Sequence, residues 1–172
     1  MPRLSSPRLI FYLLFMITLE VSLAPLFPEA APRPAFLYLS VLYAAFEWVP
    51  AKTFRMALAA GLLRDLATGQ PLGVETAVLV SLGLGLGFIV QKIEREFFIM
   101  RFACTFLFIF FADLGVSILS GFYGLAYGLS GRITAISFGN ALVSALVMPF
   151  FFSLSRRWFK DRVFLKQYEL FT

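Results

Sequence analysis

Long apolar runs alternate with short polar segments along the whole chain. Six of these runs are long enough, or nearly long enough, to cross a bilayer, because about 20 helical residues span its hydrocarbon core. They cover residues 9–27, 36–50, 54–67, 72–90, 102–120 and 133–152. The second and third runs are short for a straight crossing, so we expect them to recruit flanking residues or to lie inside the bundle. The pattern predicts a single-domain, all-α membrane protein with six transmembrane helices.

Basic residues are distributed unevenly over the segments that join these runs. If the N-terminus is cytoplasmic, twelve of the fifteen Lys and Arg residues lie on the cytoplasmic side. Those twelve are Arg3, Arg8, Lys52, Arg55, Lys92, Arg95, Arg101, Arg156, Arg157, Lys160, Arg162 and Lys166. Arg33, Arg64 and Arg132 lie on the outer side. Because short loops rich in Lys and Arg stay in the cytoplasm, the distribution predicts that both termini face inward.

The first run also has some features of a cleaved signal peptide. Arg3 and Arg8 precede it, and Ser22-Leu23-Ala24 mimics a cleavage site of small residues. Glu20, however, interrupts the apolar stretch, and cleavage would leave five crossings with a new N-terminus outside. We therefore predict that this run is retained as the first helix.

Composition supports burial in lipid and excludes several chemistries. Hydrophobic residues make up 60% of the chain and the mean hydropathy is +0.85. The basic pI of about 9.7 is accounted for by the inner loops and tail, which favours contact with anionic lipid headgroups over nucleic acid. There is no histidine, and Cys104 is the single cysteine, so we predict no metal site, no cofactor and no imidazole-based catalysis. An intramembrane enzyme would have to depend on Glu20, Asp65 or Asp113 alone.

Three polar residues lie inside apolar runs at about the same predicted depth: Glu20, Asp113 and Asn140. An ionised group at that depth costs several kcal/mol unless it is paired or neutralised. We therefore expect a buried polar layer in which at least one carboxyl is protonated and hydrogen-bonded. Bonding between helices, a ligand or proton path, and contact with a partner helix all remain open as its role.

A tight turn at residues 69–73 makes the third and fourth runs an outer hairpin. Arg64 at the end of one run and Glu75 at the start of the next both suit the helix dipole, and we expect them to pair across the turn. Asp65 is unfavourably placed by the same rule. Its expected partner is either Arg132 or the free backbone donors of the turn.

Small residues recur at a spacing of four in the apolar runs. The pairs are Ala57 with Gly61, Gly83 with Gly87, Gly124 with Gly128, and Ala141 with Ala145. Since helices in lipid associate through close contact at small residues, we expect these pairs to pack the bundle, or else to dock another membrane protein.

Two features belong to the predicted inner surface. Glu47 is expected to form a solvated pair with Lys52. Residues 156–172 interleave basic and aromatic side chains, among them Arg156, Arg157, Trp158 and Lys160. We expect this tail to lie along the inner leaflet, either as an anchor or as a site that recruits a cytoplasmic protein.

Residues 60–73 read Ala-Gly-Leu-Leu-Arg-Asp-Leu-Ala-Thr-Gly-Gln-Pro-Leu-Gly. They resemble the MreD family of rod shape-determining membrane proteins, which shows a Gly-Leu-Leu-x-Asp run followed by a Pro-Leu-Gly turn. The chain length, the Pro-containing first outer loop and the Lys-Gln-Tyr-Glu-Leu-Phe ending are also similar. The motif falls on Gly61, Asp65, Pro71 and Gly73, which we assign to hairpin geometry and to contact with MreC.

The resemblance implies a non-enzymatic scaffold of the cell-elongation (rod) complex in the bacterial inner membrane, which helps to organise peptidoglycan synthesis and cell shape. Its implied partners are MreC, RodA, a class B penicillin-binding transpeptidase and, at the cytoplasmic face, MreB. It also implies a fold similar to the substrate-binding subunits of energy-coupled vitamin transporters, and such a subunit is the alternative function. Those subunits typically present an alanine-rich face on their first helix, whereas the run 9–27 contains only Ala24.

Overall fold

The computed structural model describes residues 6–28, 31–69, 71–90, 98–123 and 131–159. Within these ranges the chain is all-helical and contains no strand, which confirms the predicted all-α class. The helices are α1 (Ser6–Leu23), α2 (Phe36–Glu47), α3 (Pro50–Thr68), α4 (Val74–Val90), α5 (Phe98–Phe122) and α6 (Gly131–Trp158). A short 3-10 helix, Ala24–Leu26, follows α1 directly.

Among the described residues, three segments are long and apolar enough to cross a membrane by length and composition. They are Leu9–Leu26, Phe98–Phe122 and Gly131–Trp158, with mean hydropathies of 2.1, 2.2 and 1.8. The helices α2 and α4 are apolar but shorter. The helix α3 has 19 residues because it begins at Pro50, ahead of the run 54–67, and it carries charged residues at both ends. Pro50 suits that position, since a proline in the first turn removes no helical hydrogen bond.

The short helix α2 is the centre of the bundle. Ten consecutive residues, 37–46, are buried, and α2 contacts each of the other five helices. A helix that is apolar on all sides and packed on all sides needs no lipid-facing surface. The short second run therefore lies inside the bundle, which is one of the two arrangements that its length predicts.

Successive helices run in opposite directions. The start of α1 meets the end of α6, where the hydroxyl groups of Tyr12 and Ser155 lie 2.8 Å apart. The end of α1 meets the end of α3, where Glu20 pairs with Arg64. We call these two ends of the bundle the Tyr12 end and the Arg64 end.

Aromatic rings pack together at the Tyr12 end. The Phe159 ring lies 4.7 Å from the Tyr12 ring and 4.9 Å from the Trp48 ring, measured between centroids. At the same end Glu47 pairs with Arg156, with 2.6 Å between Oε1 and Nη2. The expected pair between Glu47 and Lys52 is therefore wrong. Because α6 continues to Trp158, it brings Arg156 beside the last turn of α2.

Small residues lie at close helix contacts, as the spacing predicts. A Cβ atom on Gly61 of α3 would lie only 2.4 Å from Cα of Thr76 on α4. A Cβ on Gly83 of α4 would lie 2.9 Å from Cγ1 of Val41 on α2. The packing prediction is confirmed at these two glycines. Gly124 and Gly128 lie outside the described residues.

Replacing Gly61 by alanine is expected to destabilise the α3–α4 pair. The added methyl group meets backbone rather than a flexible side chain, so the two helices must separate, and such overpacking typically costs about 1–3 kcal/mol. Thermal unfolding of the purified protein in detergent measures the effect. The matched control is Gly85→Ala on α4, where a Cβ has no neighbour within 4 Å and alanine favours the helix. Equal unfolding temperatures for the two variants would contradict the close contact.

Candidate functional site

The carboxylate of Asp65 binds the start of α4 from the neighbouring helix. Asp65 is 1% exposed, and its oxygens accept hydrogen bonds from the backbone N–H groups of Gly73 at 2.9 Å and Glu75 at 2.8 Å. The Thr76 hydroxyl donates a further bond at 2.7 Å. An anion at a helix N-terminus satisfies donors that have no partner within the helix. Of the two expected partners of Asp65, the backbone donors of the turn are therefore the correct one.

The turn between α3 and α4 depends on two glycines in a left-handed conformation. Gly69 ends α3 with φ of 65°, and Gly73 precedes α4 with φ of 102°. Other residues adopt these values only at a cost, because the Cβ atom clashes with the backbone. The Pro71 carbonyl accepts a bond from the Val74 N–H at 3.3 Å. The four motif positions thus lie together in one hairpin: Gly61 at the helix contact, Asp65 at the start of α4, and Pro71 and Gly73 in the turn.

Arg64 is the centre of a charged cluster that joins four helices. Its Nη1 lies 2.5 Å from Oε1 of Glu20 on α1, and its Nε lies 2.5 Å from Oε2 of Glu75 on α4. Its Cζ lies 4.2 Å from the ring centroid of Tyr38 on α2. We call these four residues the Arg64 cluster. The Arg64–Glu75 pair that the hairpin predicts is present, whereas the contacts with Glu20 and Tyr38 were not predicted.

The Arg64 cluster is largely shielded from the surroundings. The side chains of Arg64, Glu20 and Glu75 are 18%, 21% and 3% exposed. A guanidinium removed from water is costly unless carboxylates and hydrogen bonds replace its hydration, and the face of an aromatic ring adds further attraction. Glu20 also accepts a bond from the Leu37 N–H at 3.1 Å, so it binds the free amino end of α2 as well. The cluster therefore fixes the ends of α1 and α3 against the starts of α2 and α4.

A second polar contact joins α5 and α6. The Asn140 side-chain NH2 group donates to the Asp113 carboxylate at 2.9 Å, and the side-chain oxygen of Asn140 accepts from the Arg33 backbone N–H at 2.8 Å. Near it, the Ser144 hydroxyl accepts from the Ala35 N–H at 3.1 Å. Backbone donors ahead of α2 are thus satisfied by side chains of α6, as buried polar groups require.

A cavity of about 460 Å³ at the Arg64 end connects the two polar groups. Glu20 and Arg64 line one part of it, and Asp113 and Asn140 line another. Apolar side chains such as Ile17 complete the wall. The three residues of the predicted polar layer are therefore brought to one cavity, together with Arg64, which the sequence places at the outer end of the third run. A volume of this order is typical of small-molecule sites, and it offers both donors and acceptors.

The signal that could have revealed the Arg64–Glu20 pair is a shared position in the bilayer. Glu20 interrupts one apolar run and Arg64 lies near the end of another, both in the outer half of the predicted bilayer, where opposite charges stabilise each other. Tyr38 carries no such signal, because a tyrosine in an apolar run is equally typical of simple packing.

The predicted interfacial tail is described only at its beginning. Arg156, Arg157 and Trp158 lie in the last turn of α6, where the Trp158 ring stacks on Phe15 at 5.8 Å. Lys160 lies outside the described residues.

In the ranges that are described, no group of three or more His, Cys, Asp and Glu residues could hold a metal ion.

Comparison with known proteins places the chain in a family. A family model described as rod shape-determining protein MreD matches residues 4–158, which include all six helices and the α3–α4 hairpin. No curated protein and no solved structure matches the chain. The match covers nearly the whole sequence and agrees with the resemblance of residues 60–73. The chain therefore belongs to the MreD family of membrane proteins, which act in rod shape determination.

Proposed function

We propose that this protein is a non-enzymatic scaffold of the cell-elongation complex, with six membrane crossings in the bacterial inner membrane. It binds MreC and helps to organise peptidoglycan synthesis by RodA and a class B penicillin-binding transpeptidase, with MreB at the cytoplasmic face. The observation that carries the proposal is the family match over residues 4–158.

The positions of the basic residues support a topology with both termini inside. Lys52, Arg55 and Arg101 lie near the starts of α3 and α5, and Arg156 and Arg157 lie at the end of α6. All of these positions are at the Tyr12 end. Because cytoplasmic segments are enriched in Lys and Arg, we assign the Tyr12 end to the cytoplasm and the Arg64 end, with the α3–α4 hairpin, to the outer side.

The outer hairpin is our proposed contact for MreC. Leu66 follows the buried Asp65 in α3 and Leu72 lies in the turn, and each is 68% exposed. The bonds of Asp65 hold these two leucines on a fixed backbone, which reduces the entropy lost on binding a partner. Exposed apolar groups on a rigid turn are suited to a protein contact at the membrane surface.

Co-purification tests this assignment. We expect the tagged full-length protein, extracted in mild detergent from its own cells, to recover an MreC-type protein that mass spectrometry identifies. Replacing Leu66 and Leu72 together by glutamine should reduce that recovery about tenfold or more, since two apolar contacts at the centre of an interface each contribute about 1 kcal/mol or more. The matched control is Leu26→Gln, an exposed leucine (73%) in the 3-10 helix after α1 at the same end. Unchanged recovery of the MreC-type protein with the double variant would show that the hairpin is not the contact.

The cavity favours a second candidate function, a substrate-binding subunit of an energy-coupled vitamin transporter. The exposed face of α1 argues against it, because large apolar side chains such as Phe11 and Phe15 occupy that face instead of small residues. The same purification separates the two functions. A vitamin extracted from the protein, with no elongation protein recovered, would favour transport.

A further inference from the structure

A second concave surface lies at the Tyr12 end, between α5 and α6. It encloses about 400 Å³, and its wall combines three arginines with apolar side chains. The residues that define this groove are Phe98, Arg101, Met148, Phe152, Arg156 and Arg157. The α5–α6 groove is separate from the cavity at the Arg64 end and shares no lining residue with it.

The groove has an excess of positive charge. Arg157 is exposed, and Arg156 remains 53% exposed although it pairs with Glu47. The Arg101 guanidinium lies 5.9 Å from the Phe46 ring centroid, which holds it at the edge of the bundle. None of the described residues that line the groove is acidic. Among the described residues, these three guanidinium groups together with the carboxylate of Glu47 give this surface a net positive charge.

On α6 the charged and apolar parts of the groove are separated along the helix axis, whereas on α5 Phe98 lies nearer the end of the bundle than Arg101. Met148 and Arg157 are nine positions apart, which corresponds to about 13 Å at 1.5 Å per residue. Arg156 and Arg157 lie in the last turn of α6, whereas Met148 lies towards the middle of the bundle. This order matches a phospholipid, in which an anionic headgroup at the membrane surface is followed by acyl chains that point into the bilayer.

We propose that the α5–α6 groove binds one anionic phospholipid of the inner leaflet. Its phosphate is held by Arg101, Arg156 and Arg157, because the planar guanidinium group donates two parallel hydrogen bonds to phosphate oxygens. An acyl chain lies along the exposed Pro149, over the buried Met148 and Phe152. Basic pockets between membrane helices on the cytoplasmic side bind anionic headgroups in this way. The assignment to the inner leaflet depends on the proposed topology; the binding itself does not.

Native mass spectrometry of the full-length protein in detergent tests the proposal. Titration with phosphatidylglycerol should give a one-lipid adduct, and phosphatidylethanolamine or phosphatidylcholine should give little. The double variant R101Q/R157Q should weaken phosphatidylglycerol binding about 25-fold, because each arginine near an anionic headgroup contributes about a fivefold factor. Ser153, which is exposed and also lines the groove, offers a second variant: Ser153→Trp fills the groove with no change of charge and should also abolish the adduct.

The control is Arg55→Gln, which removes an exposed arginine near the start of α3 at the same end of the bundle. Its adduct should equal that of the wild type. Equal binding of anionic and zwitterionic lipids, or equal loss in R55Q and R101Q/R157Q, would overturn the proposal. Displacement of the lipid by an equimolar amount of inorganic phosphate would also overturn it, because the phosphate group alone would then account for the binding. Lipid binding needs no MreC, so failure of the co-purification would leave this result unchanged.

Discussion

Replacing Arg64 by methionine is expected to lower the free energy of unfolding by about 3–5 kcal/mol, the range typical of removing one partner from a buried ion pair. Methionine keeps the length of the side chain and its apolar stem, so packing is largely retained. The loss then reports the electrostatic role of the guanidinium group. Without it, the carboxylates of Glu20 and Glu75 remain shielded from water with no counter-charge between α1 and α4.

Denaturant unfolding in mixed micelles measures this loss. The control is Arg132→Met, an exposed arginine in the first turn of α6 on the same predicted side of the membrane. The double variant Arg64→Met with Glu20→Gln should recover part of the stability, because it removes one of the two unpaired carboxylates. Glu20→Gln alone should cost less than Arg64→Met, since the one amide oxygen still accepts from either Arg64 or the Leu37 N–H, and no unpaired charge is left on α1. If R64M were no less stable than R132M, the Arg64 cluster would not hold the helices together.

The contrast between Glu75 and Glu20 as partners of Arg64 shows which contacts a sequence can predict. Arg64 and Glu75 flank one tight turn, so the chain itself brings them together, and helix dipoles favour both positions. Glu20 is 44 residues from Arg64. Pairing it requires knowing that α1 lies beside α3, and apolar runs carry little information about which helices are neighbours. The same limit explains Glu47. The sequence predicts Lys52, the nearest basic residue along the chain, as its partner, whereas the partner is Arg156 of α6.

The position of α2 was only partly predictable. The second and third runs are both short, which predicts either a buried helix or one extended by flanking residues. Burial occurs in α2 and extension occurs in α3. What selects burial for α2 is the absence of charge between residues 36 and 46, because each face can then meet another helix. The run 54–67 ends with Arg64 and Asp65, which need polar partners at the edge of the bundle.

The two ends of the bundle are stabilised by different interactions. At the Arg64 end, ion pairs and side-chain bonds to free backbone groups join α1 to α4, and the Asp113–Asn140 contact joins α5 to α6. At the Tyr12 end, aromatic rings around Phe159 fill the space between α1, α2 and α6. Helices in lipid associate through packing and polar contacts because lipid is as apolar as they are. A bundle fixed in this way at both ends holds the α3–α4 hairpin in one conformation, which suits the proposed contact with MreC.

Replacing Asp65 by alanine is the second change for which we expect a large effect, a loss of about 3 kcal/mol or more in unfolding free energy. Each hydrogen bond to a charged group contributes about 1.5–3 kcal/mol, and alanine removes the bond to the Gly73 N–H and leaves the buried N–H of Glu75 with no acceptor. Asp65→Asn should cost less, because the remaining carbonyl oxygen still accepts at the start of α4. The same unfolding measurement in mixed micelles ranks the three proteins.

A smaller change in the same hairpin tests whether the loss of stability is specific to the Asp65 carboxylate or follows from any substitution near the turn. Thr76→Val removes one donor to Asp65 and leaves the backbone bonds from Gly73, Glu75 and residue 76, so its cost should be only about 1 kcal/mol. The same series also connects stability to the proposed MreC contact, because Asp65 holds the turn on which Leu66 and Leu72 are exposed. Recovery of MreC should therefore fall in the order wild type, T76V, D65N, D65A. If D65A lost stability but recovered MreC as well as the wild type does, the hairpin would be needed for folding and the partner would bind another surface.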